Sequence, residues 1–501
     1  MEIPEQNQMS VQVRSEEAGN QSGAKRPRQV LILGAGPAGL GAGYELARHG
    51  VPCTILDKNS QVGGLARTME FKGFRFDVGP HRFFTKEKTV QAVWEEVLGR
   101  DLLRLLRLTR IYYRGKFFFY PLKPLNALIG LGIGGSLMTF GSYLYARIVY
   151  RCRQAKTFEQ WITYTFGRRL YEAFFKTYTE KVWGVSCSDI GAEWAAQRIR
   201  GLNLWRVVKT AILGNRQGIR TLTDQFCYPR IGAGMLYEKM SDKITTAGGR
   251  LHLGAVVEAI EVEGTTVTGV RCADGRHIKV GAEGCLLSSI PITAFVQCLT
   301  PQVPTEVLAA ARGLRYRDHI TVNLTYFGTN PFPDNWIYVH AGEVRMARIT
   351  NYANFSRDMV PTEDANGLAV EYFCFENDDL WRMSDEALVE LATEELMRIG
   401  LIRRELVRDG FVLREKNAYP AYYAGYQTHF ETLKNYVSRL TNVHMIGRAG
   451  MFKYGNQDHA MLTGLLTARN VLGEQHDVWS VHDSEEYIEE ESHRAATVAE
   501  Q

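Results

Sequence analysis

VLILGAGPAGLGAGYELARHGVPCTILD, residues 30–57, decides the fold. An apolar run, Val30 to Leu33, ends in Gly34-Ala35-Gly36-Pro37-Ala38-Gly39. A helical pattern follows through Leu46 and Ala47 and stops at His49-Gly50, before a second apolar run that ends in Asp57. Strand, glycine turn, helix, strand and acid, in that order, spell a βαβ unit with a dinucleotide fingerprint. Gly34 is expected to allow the tight turn, Gly36 to let the backbone approach a pyrophosphate, and Gly39 to let helix and strand pack closely. The helix N-terminus then faces the phosphates with free N–H groups and a positive dipole end. Asp57 lies 23 residues beyond Gly34, where an acid can bind ribose hydroxyls, with Lys58 beside it.

Just past the second strand stands Val62-Gly63-Gly64-Leu65-Ala66-Arg67-Thr68. It resembles the GG…RT motif of FAD-binding flavoproteins of the amine-oxidase type. That resemblance implies FAD as the cofactor, with Gly63, Gly64, Leu65 and Arg67 around its diphosphate. It also implies an α/β fold: a Rossmann-like FAD-binding domain of the glutathione-reductase type, interleaved with a helical and antiparallel-sheet substrate domain. Val257 is the residue that would meet the adenine. No Cys or His beside the motif is placed for covalent attachment, so the FAD is expected to be non-covalent.

Bulk properties narrow the class. The chain has 501 residues, 23% charged and 45% hydrophobic, an ordinary globular composition able to bury a large core. A net charge of +4 is too mild to argue for nucleic acid. The eight cysteines are scattered, with no metal-ligand spacing, and read as reduced thiols of a cytoplasmic protein. Residues 1–28 are polar and mixed in charge, with no signal-peptide core, and read as a disordered tail.

Taken in order, residues 29–90, 220–300 and 440–473 are assigned to the FAD-binding domain, 91–219 and 301–439 to the substrate domain, and 474–501 to an acidic tail. Helices are expected at Val90–Leu98, Phe158–Phe166, Leu170–Tyr178, Glu193–Arg200 and near Asp385–Ile399. A hairpin-like piece spans 111–120. Strand patterns recur at Gly284–Ser288, His319–Tyr326, Trp336–Val339, Ala369–Phe375 and Val443–Ile446. Residues 127–146 carry no charge, but they include five glycines and Ser136. Arg110, Arg114, Lys116 and Lys123 precede them, and Arg147, Arg151 and Arg153 follow. The stretch reads as a buried helical pair of the substrate domain. The alternatives are a membrane-surface segment, which would make a peripheral contact at the inner face, and a span.

Three further stretches resemble UDP-galactopyranose mutases, members of the same FAD superfamily. Gly79-Pro80-His81-Arg82-Phe83-Phe84-Thr85 is similar to that family's GPHxFHT loop, which implies that His81 lies against the flavin. Residues 170–184, LYEAFFKTYTEKVWG, resemble its LYxxFFxxYTxKxWG segment. Gly447-Arg448 with Lys453-Tyr454 resembles its C-terminal segment beside flavin and substrate. Weaker matches are Arg348-Ile349, like the family's diphosphate-binding arginine, and Glu371-Tyr372. The catalytic candidates are therefore His81, Arg348, Tyr372, Arg448 and Tyr454. Asp458, Met461 and Leu462 join Gly447 and Arg448 on the cofactor side. One departure stands out: where the mutases carry a second substrate arginine, this chain has Leu202, with Arg198 and Arg200 nearby. The chain is also similar to bacterial FAD oxidoreductases of envelope-polysaccharide clusters, which share YTEKVWG and NQDHAM, here at 178–184 and 456–461.

The resemblance implies a flavoenzyme acting on a small molecule, either a nucleotide sugar or a lipid-linked glycan. The departing arginine tips the reading toward an FAD-dependent oxidoreductase of envelope polysaccharide biosynthesis. The alternative is a mutase-like isomerase, interconverting the pyranose and furanose forms of a nucleotide sugar through reduced flavin N5.

Overall fold

The computed structural model describes residues 29–482, apart from 121, 123, 151–152, 193–224 and 282. The expected helix Glu193–Arg200, both substitute arginines and most of the acidic tail lie outside the described residues. The organising unit forms as its residues dictate. Strand β1 (Gln29–Leu33) buries Val30, Leu31, Ile32 and Leu33 completely, because both of its faces are covered. Helix α1 (Pro37–Arg48) follows, and β2 (Cys53–Leu56) lies parallel to β1. They belong to a five-stranded parallel sheet, in the order Val443–Met445, Gly284–Ser288, β1, β2, Arg250–His252.

Two glycines set the helix against its neighbours. A Cβ on Gly39 would sit 1.8 Å from the Gly34 carbonyl oxygen, so only glycine lets α1 lie this close to the turn. A Cβ on Gly464, in the helix Gln457–Val471, would sit 2.0 Å from the Ala38 carbonyl oxygen.

A seven-stranded sheet carries the other half of the cleft. Its order is Val407–Pro420, Tyr316–Phe327, Ala365–Cys374, Arg348–Asn351, Trp336–Val339, Thr109–Tyr113, Lys116–Phe119. All pairings are antiparallel except that of Trp336–Val339 with Thr109–Tyr113. The hairpin expected at 111–120 is present and forms this edge. Strand alternation sorts the side chains. Ile320, Val322, Leu324, Leu368, Val370 and Tyr372 enter one apolar cluster. His319, Thr321 and Glu371 therefore point to the opposite face, toward the nucleotide sheet.

The segment around 127–146 corrects the sequence reading. Two helical pieces between Pro124 and Val149 meet at Gly132, with φ 73° and ψ 168°, as the expected pair requires. The pair is not buried: Ile129, Ile133, Leu137, Leu144 and Ile148 all stand exposed. The motif at 170–184 also departs from one regular helix. Helical turns at Arg168–Tyr171 and Thr177–Trp183 flank a π-helical stretch, Glu172–Lys176. No helix among the described residues is long and apolar enough to cross a membrane.

Candidate active site

The C-terminal ends of β1 and β2 open into a cleft of roughly 1350 Å³ that runs on to the seven-stranded sheet. Of the cofactor-side candidates, Gly34, Gly36, Pro37, Ala38, Asp57, Lys58, Gly64, Leu65, Arg67, Val257, Gly447 and Arg448 line it. Gly34 holds φ +99°, the left-handed turn that glycine permits at no steric cost. Gly36 needs no such freedom, with φ −84° and ψ −173°. A Cβ there would touch only the Gly64 Cα, at 3.8 Å. The fold itself has room for a side chain at 36.

Asp57 is fixed by two backbone donors, Ala35 N–H to Oδ2 at 2.7 Å and Asn59 N–H to Oδ1 at 2.8 Å. Arg67 donates to the Gly64 carbonyl at 2.8 Å and pairs with Glu415 across the cleft. This cradle fits FAD: a helix N-terminus and bare glycine backbone for the diphosphate, a carboxylate for ribose, and Val257 at the far wall.

Five cofactor candidates do not line the cleft. Gly39 faces the β1 turn, and Gly63 faces Arg67. Asp458, Met461 and Leu462 are buried in the helix Gln457–Val471, which packs along α1 with Met461 against Gly41. Helical periodicity gives the cleft face to Gln457, His459 and Ala460 instead.

Among the catalytic candidates, His81, Arg348, Arg448 and Tyr454 meet at the cleft. His81 sits on the loop after the strand Phe74–Asp77, with its Nδ1 buried and lacking a hydrogen-bond partner. Burial, then the charges of Arg448 and Arg348, push its pKa down to about 4, against Gly79 and Glu371. The ring is neutral at pH 7. The Arg448 guanidinium lies 4.5 Å over the Tyr419 ring, which stacks on Tyr454 at 5.9 Å.

Arg348 does not stand free for a phosphate. Its Nε and Nη2 both donate to Glu371, a fully buried carboxylate on the neighbouring strand. Glu371 also accepts from His319 Nε2 at 2.9 Å. Burial raises the Glu371 pKa, but Arg348 and the His319 bond outweigh it and hold it at about 2. Tyr372, the adjacent residue, is corrected: it lies on the other face of the strand, and its hydroxyl donates to Glu395 at 3.0 Å.

The cleft also gathers residues that no motif marked. Tyr120, Tyr338 and Tyr419 join Tyr178 as a ring-lined wall, with Trp336 and Phe174. His340 stacks on Tyr178 at 4.8 Å, and its Nδ1 is a second buried nitrogen without a partner. Burial, then Lys181, push its pKa down to about 3. Lys181 serves the scaffold, donating to the Val339, Ala341 and Met346 carbonyls. The signal for Tyr338 and His340 was the strand Trp336–Val339, whose alternate residues had to face the cleft.

A parallel nucleotide sheet, a glycine cradle at its carboxyl ends and an aromatic substrate wall define an FAD-dependent flavoenzyme. Residues 37–472 match the family described as flavin containing amine oxidoreductase, and the chain belongs to that family. Its fold is similar to that of reduced UDP-galactopyranose mutase, with TM-score 0.80 and 22% identity over 91% of this chain and 97% of that one. A putative protoporphyrinogen oxidase from Exiguobacterium sp. 255-15 gives TM-score 0.68 at 16% identity, covering 89% and 99%. In sequence, a probable UDP-galactopyranose mutase of Klebsiella pneumoniae is 27% identical over 173 residues, 33% of this chain and 43% of that protein. A 4,4'-diapophytoene desaturase of Methylomonas sp is 36% identical over 87 residues, 17% of each. These stretches span less than half the length of either curated relative.

Proposed function

We propose that this enzyme oxidises a sugar or glycan-type substrate of envelope polysaccharide assembly. The observation that carries the reading is the substrate end of the cleft, where a tyrosine wall surrounds an arginine already paired to a buried carboxylate. Tyrosine rings offer an apolar face to sugar C–H groups and a hydroxyl to sugar oxygens. FAD, when bound, supplies a hydride acceptor. The protein's part is to bind, orient and keep water out. His81 stays uncharged in the cleft and carries an unpartnered Nδ1 that would be available for a hydrogen bond. His340 Nδ1 does the same at the tyrosine wall. Arg448, stacked on Tyr419, holds positive charge near the reacting end. The seven described cysteines are free thiols, which supports a reducing, cytoplasmic setting.

A second reading, isomerisation of a nucleotide sugar, is favoured by the placement of Arg348 on the cleft wall with Tyr178 and His81. It asks Arg348 to neutralise a leaving diphosphate while Glu371 already cancels its charge. Anaerobic mixing of the oxidised holoenzyme with UDP-sugars and free glycosides separates the two. Stoichiometric bleaching of bound FAD supports oxidation. Ring isomerisation without net bleaching, seen only after prior reduction, overturns it.

A further inference from the structure

The element Pro124–Val149 presents its apolar residues outward at four-residue spacing. Ile129, Ile133, Leu137 and Ile148 are 70%, 84%, 68% and 77% exposed, and Leu144 continues the row. Soluble surfaces rarely leave such a stripe uncovered. The element contains no acidic residue. Exposed basic residues bracket it instead: Arg114 and Lys116 at one end, Arg147 and Arg153 at the other, and Arg169 beside its middle. The nearby acids Glu159 and Glu172 are both bridged by Arg168. Arg110, expected from the sequence to join this set, is withdrawn by a bidentate pair with the buried Asp334, at 2.8 and 2.6 Å.

The geometry points to this element as a docking surface for an anionic phospholipid bilayer, lying in the interface rather than across it. The break at Gly132 leaves Ile133–Val149 as the longer piece, about 25 Å at 1.5 Å per residue. That is short of the roughly 30 Å hydrocarbon core. Lying flat, it puts its isoleucines and leucines among the acyl chains and its arginines among phosphates. A second copy of the chain fits the same stripe less well. Two such helices packed together, parallel or antiparallel, would bring basic ends against basic ends, with no acid on the element itself to offset them.

The surface bears on the substrate as well. Gly130 packs on the Phe118 ring, which meets Phe174 at 5.2 Å, and Phe174 lines the cleft. One layer of side chains thus separates the docking stripe from the cleft wall. A lipid-linked glycan is the substrate class this placement serves, and that step rests on the sugar reading above.

The test is flotation of the full-length holoenzyme. It is mixed with vesicles of phosphatidylcholine alone, or of equal parts phosphatidylcholine and phosphatidylglycerol, at low and high salt. Wild type is expected to float with the anionic vesicles and to lose binding as salt screens the charges. Each of Arg147→Gln and Lys116→Gln should lower partitioning about fivefold. The triple variant I133Q/L137Q/I148Q should abolish it while keeping its full FAD content. Wild type that stays down with every vesicle overturns the proposal. So does a triple variant that floats as wild type does, or light scattering showing a dimer that the triple variant dissolves. Soluble-sugar bleaching needs no vesicles, so failure of the docking surface and failure of the sugar reading are told apart.

Discussion

Replacing Glu371 by Gln removes the carboxylate that the Arg348 fork holds among the described residues while keeping the shape of the side chain. Glu371 is fully buried and takes two bonds from Arg348 and one from His319. Its pKa falls from 4.5 to about 2 on folding. A shift of that size, at 1.36 kcal/mol per unit, corresponds to about 3 kcal/mol of stability. Breaking a buried pair by removing one partner costs about 3–5 kcal/mol by an independent route. Unfolding entropy of about 2.1 cal/mol/K per residue, over 501 residues, turns 3 kcal/mol into a midpoint about 3 °C lower. The folded pKa lies below the unfolded one. The stabilisation is therefore complete above about pH 5 and drains away as pH falls toward 2. Thermal unfolding of both proteins, followed by tryptophan fluorescence from pH 7 downward, reads this directly. The gap should be widest at pH 7 and close in acid. Equal midpoints at pH 7, or a gap that keeps its size in acid, would refute the argument.

Gly36→Val should yield a folded chain without FAD: the fold has room for a side chain at 36, and that side chain would take the place expected for the pyrophosphate. A yellow variant with normal far-UV dichroism would contradict the cradle. Acid precipitation of wild type should release FAD into the supernatant; colour held in the pellet would mean a covalent link. His340→Phe keeps the stack on Tyr178 but removes Nδ1. Losing one neutral hydrogen bond, about 0.5–1.5 kcal/mol, should weaken substrate binding about two- to twelvefold at unchanged FAD content. Unaltered affinity would take His340 out of the site.

The nucleotide half was legible because local signals agreed there. Apolar run, glycine turn, helix stop and acid fall within residues 30–57, and the strand Gly284–Ser288 carries an unbroken apolar pattern, as Trp336–Val339 does in the seven-stranded sheet. The strand Val407–Pro420 escaped notice because it lies at the sheet edge, half exposed, and its charged residues blur the alternation. Glu415 and Tyr419 escaped with it. The weak match at Glu371-Tyr372 points to Tyr372, whereas its neighbour Glu371 is the residue on the Arg348 side of the strand, and a one-residue offset puts a side chain on the wrong face. For residues 127–146, composition spoke of an apolar helix but not of what covers it. Only the packed structure leaves Ile133 and Ile148 outside.

In the proposed reaction this cleft sets a sugar against FAD for oxidation. NMR of the sugar after anaerobic incubation, with oxidised holoenzyme in one tube and dithionite-reduced holoenzyme in the other, tests it most directly. An oxidised carbon, one equivalent per FAD, is expected in the first tube and unchanged sugar in the second. A furanose produced catalytically in the second tube, with none oxidised in the first, would contradict the proposed reaction.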